Sequence, residues 1–222
     1  MKVINNFIQD KNVFLDIKNL LLSPNFPHYY NDYVADKKDV GDYYFVHILY
    51  NQDQQKSDYF NQVLMPILGR LNFNYLHRAK VNCYTKKHKH IKSAMHTDMN
   101  KNHTVALFSV NTNNGYTLFE NGEKVVSVEN QLVLFDGSIK HCSVAQTDEN
   151  LRINININLS WQTHRKEGIK TIGYCGEKIL ASNTIWTHCQ MVLSWVQKNL
   201  IIVLYLLTST GPISLAFLID SS

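Results

Sequence analysis

The sequence holds four cysteines, at positions 83, 142, 175 and 189, with no CxxC pair and no framework of close spacings among them. That pattern speaks against a zinc site and against disulfides, and it suits a reducing compartment such as the cytoplasm. A secretory leader is not expected either. Met1 to Asp10 is broken by Asn5, Asn6, Gln9 and Asp10, which leaves neither an apolar core nor a small-residue cleavage site. A large excess of charge of one sign is also absent, since the net charge is only +4. The basic residues gather in Lys86-Lys87-His88-Lys89-His90 and Lys92, which reads as a loop. Such a cluster serves either as a solvated lip or as an attractor of an acidic or nucleic-acid substrate. What is present in quantity is apolar sequence: 45% of 222 residues suffices for one well-packed domain without a second.

Within that domain the feature with chemical content is His96-Thr97-Asp98, followed by a lone His141 and by Arg152 eleven residues later. On an extended strand, residues two apart point the same way, so His96 and Asp98 can offer an imidazole and a carboxylate to one metal. His141 supplies a third ligand. Two histidines and one carboxylate on one face of an octahedral metal leave positions open, the arrangement of non-haem Fe(II) oxygenases. The pair alone carries little, because a chain of this composition contains a chance His-x-Asp about once in two. His88 and His90 could also chelate from their loop, but no third ligand lies near them.

The surroundings add weight. Val81 to Tyr84 and Thr104 to Val110 are rich in β-formers, and Asn113-Asn114-Gly115 supplies a turn. Tyr116 to Phe119 and Lys124 to Val128 flank an Asn121-Gly122 hairpin signal. Gln131 to Asp136 is a further strand, closed by Gly137-Ser138 just before His141, which places that histidine at a strand end. Leu151 to Leu159 alternates without a break, with Leu151, Ile153, Ile155, Ile157 and Leu159 on one face and Arg152, Asn154, Asn156 and Asn158 on the other. A half-buried strand whose asparagine face meets water is one reading of it. Arg152 invites another, bidentate capture of a carboxylate beside the metal, against a surface salt bridge.

The ordered string Tyr84, His96-Thr97-Asp98, Gly115-Tyr116-Thr117-Leu118-Phe119-Glu120, Leu134-Phe135-Asp136, His141 and Arg152 resembles the 2-oxoglutarate- and Fe(II)-dependent dioxygenases. Within them it is most similar to the prolyl 4-hydroxylase-like branch, including small phage-type members, over about residues 25 to 160. The resemblance implies a mainly β fold with N-terminal helices (α+β), a double-stranded β-helix of the jelly-roll, cupin-like kind. It implies iron on His96, Asp98 and His141. It also implies 2-oxoglutarate held by Arg152 and Tyr84, with Asn154 as a further co-substrate contact, and O2 as oxidant with ascorbate as an accessory reductant. The expected reaction is hydroxylation of an unactivated C–H bond in a peptide, another protein side chain or a small molecule. Asn82-x-Tyr84 and Arg152-x-Asn154 also resemble motifs of the nucleic-acid dealkylating dioxygenases. That branch carries a second arginine where Asn156 and Asn158 stand here, which ranks nucleic-acid demethylation second. A non-catalytic jelly-roll binding module is the rival from another class.

Three regions follow: residues 1–80 as N-terminal helical support, 81–161 as the iron and 2-oxoglutarate core, and 162–222 as a hydrophobic extension. In the first, Phe14, Leu15, Ile17, Leu20, Leu21 and Leu22 predict a helix ending before Pro24. Phe60, Val63, Leu64, Ile67 and Leu68 predict a second, ended by Gly69 and kinked by Pro66. Phe26-Pro27-His28-Tyr29-Tyr30 either packs or lines the substrate entrance, and Cys142 reads as core. From Ile179 to Ile219 the only formally charged residue is Lys198. The stretch 199–219 could contact a membrane, pack as a helix, or be a non-native extension, and Thr208 to Pro212 interrupts it.

Overall fold

The computed structural model describes residues 1–35 and 42–161. The expectations for residues 162–222, membrane contact through 199–219 included, lie outside these residues. Among the described residues no helix is long and apolar enough to cross a membrane.

Helix α1 spans Lys11–Leu22, and the Asp10 carboxylate caps it by accepting from the Asn12 and Val13 amides at 2.9 and 3.3 Å. It stops where predicted. Ser23, which precedes Pro24, is extended at ψ 154°, as the proline ring demands of its neighbour. The second helix differs from the simple kinked form. Phe60–Leu64 is π-helical, with the Met65 amide donating to the Phe60 carbonyl, and only Met65–Leu68 (α2) is α-helical. Pro66 sits at the start of α2, so the widened turn before it absorbs the missing donor.

Among the described residues eleven strands form two sheets. They are β1 (Lys2–Ile4), β2 (Tyr29–Asn31), β3 (Tyr44–Asn51), β4 (Gln54–Gln55), β5 (Tyr75–Thr85), β6 (Thr104–Ser109), β7 (Tyr116–Phe119), β8 (Lys124–Val126), β9 (Gln131–Asp136), β10 (His141–Val144) and β11 (Leu151–Ser160). The large sheet runs β1-β9-β6-β11-β5-β3-β2 with β4 on β3, and the small one runs β10-β7-β8. Every pair is antiparallel. Residues 1–80, expected as helical support, thus also contribute β1, β2, β3 and the start of β5.

Two faces of the large sheet do different work. On one, Val81, Ile153, Ile155 and Ile157 pack against Phe14, Ile17 and Leu21 of α1 and against Val63, Leu64 and Ile67 of the second helix, in one buried cluster. On the other, Lys80, Asn82, Tyr84, Arg152, Asn154 and Asn156 line a cavity together with Thr117, His141 and Ser143 of the small sheet. Two antiparallel sheets enclosing a polar cavity, with helices on the outer face of one, make a double-stranded β-helix. The asparagine face of β11 therefore does not meet water: Asn154, Asn156 and Asn158 are buried. Alternation with period two reports only that the two faces differ, and here the polar one turns into the fold.

Candidate functional site

His141 opens β10, held by the antiparallel pairing His141↔Phe119 with β7. His96 and Asp98 do not share a regular strand, contrary to expectation. They lie in the irregular segment between β5 and β6, which is tied to β10 by bridges Lys92↔Val144 and His96↔His141. The His96 and His141 amides and carbonyls exchange hydrogen bonds of 3.0 Å in both directions, so the two rings stand side by side with centroids 4.9 Å apart. Asp98 Oδ2 lies 3.7 Å from His141 Nε2. One donor atom from each of His96, Asp98 and His141 falls within 4.8 Å of the others, the spacing of groups that could hold one metal ion.

Each part of this cluster is held from behind. His96 Nδ1 faces the Ala94 carbonyl and His141 Nδ1 the Ile139 carbonyl, both at 3.1 Å, which leaves each Nε2 for a metal. Burial pushes the His141 imidazole below its ordinary value, with His96 and His103 adding and Asp98 and the Ile139 carbonyl opposing. A neutral ring is the form that ligates. Asp98 accepts from Arg78 Nη2 at 3.0 Å on Oδ1 and from Asn156 and Asn158 Nδ2 at 3.0 and 3.3 Å on Oδ2. Burial works to raise its carboxyl, but Lys80, His141, the Asn156 hydrogen bond and Arg78 outweigh it and hold the group down at about 2.

Arg152 lies at the other end of the same wall and is 2% exposed, so a surface salt bridge is ruled out. Its guanidinium donates to Ser127 Oγ (2.9 Å), Ser143 Oγ (2.8 Å) and the Val144 carbonyl (3.1 Å), all neutral acceptors. Among the described residues no carboxylate pairs with it. The cation also sits 5.4 Å over the Tyr84 ring, whose other partner is Tyr44, stacked at 5.4 Å and 19°. Burial pushes the Tyr84 phenol well up, and its hydroxyl bonds Ser143. Gly115 makes room for this end: a Cβ there would lie 3.0 Å from Arg152 Cδ and 2.9 Å from Asn113 Oδ1. Asn154 lines the wall between the two ends, its Oδ1 accepting from Asn82 Nδ2 at 2.8 Å.

Several other residues complete the site. Arg78 and Lys80 were not singled out as functional from the sequence, and Asn82, Asn156 and Asn158 entered there as functional only through the comparison with the nucleic-acid dealkylating branch, although Arg78-x-Lys80-x-Asn82-x-Tyr84 repeats with the same period two as the asparagine face it pairs with in β11. His88 and His90 stay outside the metal cluster, and His90 Nδ1 meets the Ala145 carbonyl instead. Part of the lysine lip is tied back: Lys86 donates to the Asp148 carbonyl and Lys87 pairs with Asp42 at 3.7 Å. Of the aromatic run, Phe26 packs in the core while Tyr29 and Tyr30 are exposed on β2. Cys142 is fully buried.

No family model and no curated protein matches the sequence. Among solved structures the chain is similar to a prolyl hydroxylase from Trichoplax adhaerens in complex with a hypoxia-inducible factor oxygen-degradation-domain peptide fragment. Identity is 14%, over 72% of this chain and 82% of that one, at a TM-score of 0.49. A 2-oxoglutarate-Fe(II) oxygenase family oxidoreductase from Burkholderia pseudomallei is similar at 12% identity, over 63% and 76%, at 0.47. A non-haem α-ketoglutarate-dependent epimerase from nogalamycin biosynthesis is similar at 10% identity, over 71% and 76%, at 0.49. The fold of this chain rests on its own strand pairing.

Proposed function

We propose that this chain is an Fe(II)- and 2-oxoglutarate-dependent dioxygenase that hydroxylates an unactivated C–H bond. The observation that carries the reading is Arg152: a buried guanidinium with only neutral partners, facing the same cavity as a His-His-Asp cluster. Burying a lone cation is costly, and a carboxylate delivered by a ligand is its natural complement. The donor set fits iron(II): two imidazoles and one carboxylate, each already oriented by a partner behind it.

On this reading His96, Asp98 and His141 hold the metal, and Arg152 takes the far carboxylate of 2-oxoglutarate. Tyr84 and Asn154 flank that carboxylate and the chain leading to it. When bound, iron and 2-oxoglutarate supply the oxidation, in which O2 and 2-oxoglutarate yield succinate, CO2 and one oxygen atom delivered as hydroxyl to the substrate carbon. The chain's own part is placement. Arg78, Asn156 and Asn158 keep the Asp98 carboxylate ionised and aimed, and the two sheets exclude water from the wall. The reading takes a peptide or a small molecule as the substrate. The Nδ2 groups of Asn156 and Asn158 are spent on Asp98. Anaerobic titration with Fe(II) and then 2-oxoglutarate is expected to give a visible charge-transfer band. A folded protein that shows none refutes the reading.

A further inference from the structure

Lys80 stands at the metal end of the cavity, directly opposite Asn156 in the β5–β11 ladder, and four residues along β5 from Tyr84. Four residues of strand span about 13 Å. A co-substrate chelated at the metal and reaching to Arg152 therefore leaves Lys80 to another group. No hydrogen bond or ion pair within the described residues engages the Lys80 ammonium, which lies 5.8 Å from the Tyr44 ring and acts on Asp98 only through space. Asp98, the carboxylate on this wall, already has Arg78 at 3.0 Å. A divalent metal and a dicarboxylate cancel each other, so cations on the wall still outnumber the one carboxylate. Burial pushes the Lys80 ammonium down to about 8, with Arg78 adding to the fall and Asp98 opposing it. An anion beside it would favour the charged form further.

An unpaired acceptor sits across the ladder from this cation, which itself makes no hydrogen bond. Asn156 is 6% exposed, its Nδ2 is committed to Asp98, and its Oδ1 is buried with no partner. The Oδ1 of Asn82, two register pairs along the ladder toward Arg152, is also buried without a partner. A cation and amide oxygens on one small patch call for a molecule that presents a carboxylate and an N–H donor close together. We propose that the substrate is a free α-amino acid, its carboxylate on Lys80 and its ammonium on Asn156 Oδ1, which sets its side chain beside the metal. The assignment rests on the dioxygenase reading and deepens it. A peptidyl residue, with no free carboxylate at its own α-carbon, does not use Lys80 in this way.

The test uses the full chain loaded anaerobically with Fe(II) and 2-oxoglutarate, titrated calorimetrically with each of the twenty free L-amino acids and their C-terminal amides. At least one amino acid is expected to bind in the micromolar to low millimolar range, and its amide tenfold or more weaker. Lys80→Gln is expected to lose that discrimination while Lys80→Arg keeps it, both retaining the charge-transfer band and unchanged 2-oxoglutarate affinity. Binding of no amino acid, equal binding of acid and amide, or an unaltered Lys80→Gln overturns the substrate assignment while leaving the band intact. Loss of 2-oxoglutarate affinity in Lys80→Gln overturns it too, because Lys80 would then hold the co-substrate. Absence of the band in the unaltered chain instead sinks the dioxygenase reading itself.

Discussion

The two ends of the cavity wall each carry an arginine, and the two are treated oppositely. Arg78 meets Asp98 at 3.0 Å, so its charge is answered within the chain. Arg152 is more deeply buried and meets only hydroxyls and a carbonyl. The contrast teaches which end is built for itself and which for a ligand. A cation answered internally holds a side chain in place, whereas on the dioxygenase reading one left without an anion in a dry wall is a receptor for a carboxylate.

The sharpest way to break this comparison is at the metal end. His141→Ala removes a ligand and is expected to abolish iron binding, and with it the charge-transfer band, while circular dichroism stays native. Retained iron would show that the cluster is not the metal site. Next in size is Arg152→Ala. Removing one partner of a buried charged pair costs about 2 to 5 kcal/mol, so 2-oxoglutarate affinity should fall roughly thirtyfold or more with iron affinity unchanged. Unchanged affinity would remove Arg152 from its role.

Acid offers a comparison without mutation. The carboxyl of Asp98 is depressed to about 2 from an ordinary 3.8. Its contribution to stability is therefore fully present above about pH 4 and is lost as pH falls toward 2, about 2 kcal/mol in all. His141, lowered from 6.5, likewise contributes above that value and loses its share as pH falls below it. Urea unfolding of chelated protein across pH 7 to 2 should show both losses, and the lower one should vanish in Asp98→Asn. Smaller still is Tyr84→Phe, which deletes one hydroxyl beside Arg152. A hydrogen bond to a charged group is worth about 1.5 kcal/mol here, so 2-oxoglutarate should weaken roughly tenfold by calorimetry. Ending the chain after Gln162 should change neither affinity, since every proposed ligand precedes it, and a chain so cut that fails to fold would overturn that expectation.

How much of this was legible in the sequence depended on how cleanly each segment alternates. β11 and the β6 to β10 meander stood out, because their apolar residues fall at fixed intervals between turn residues. β3 did not. Tyr44 to Asn51 is partly buried on both faces, and its two-residue hairpin turn uses Gln52 and Asp53 at φ 52° and 58°, a left-handed turn without the glycine that usually signals it. The metal trio was readable as residue types, but their geometry was not, since His96 and Asp98 are placed by two bridges to β10 instead of by a strand of their own. Lys80 and Arg78 escaped notice because β5 begins six residues earlier than its β-rich core at Val81.

Those two bridges have a consequence for motion. The segment carrying His96 and Asp98 has no continuous ladder, and near the metal trio it docks on β10 through the reciprocal amides of His96 and His141, with a second tie further back where Ile91 and Ser93 bond Ala145 and Ser143. Metal held by both segments would close the loop of chain between residues 96 and 141 at one point, and closing a long loop removes conformations that the free chain explores. The backbone amides of His96 and His141 should then exchange with solvent slowly in the iron-loaded protein and much faster once it is chelated, while amides in the middle of β11 should not notice the difference.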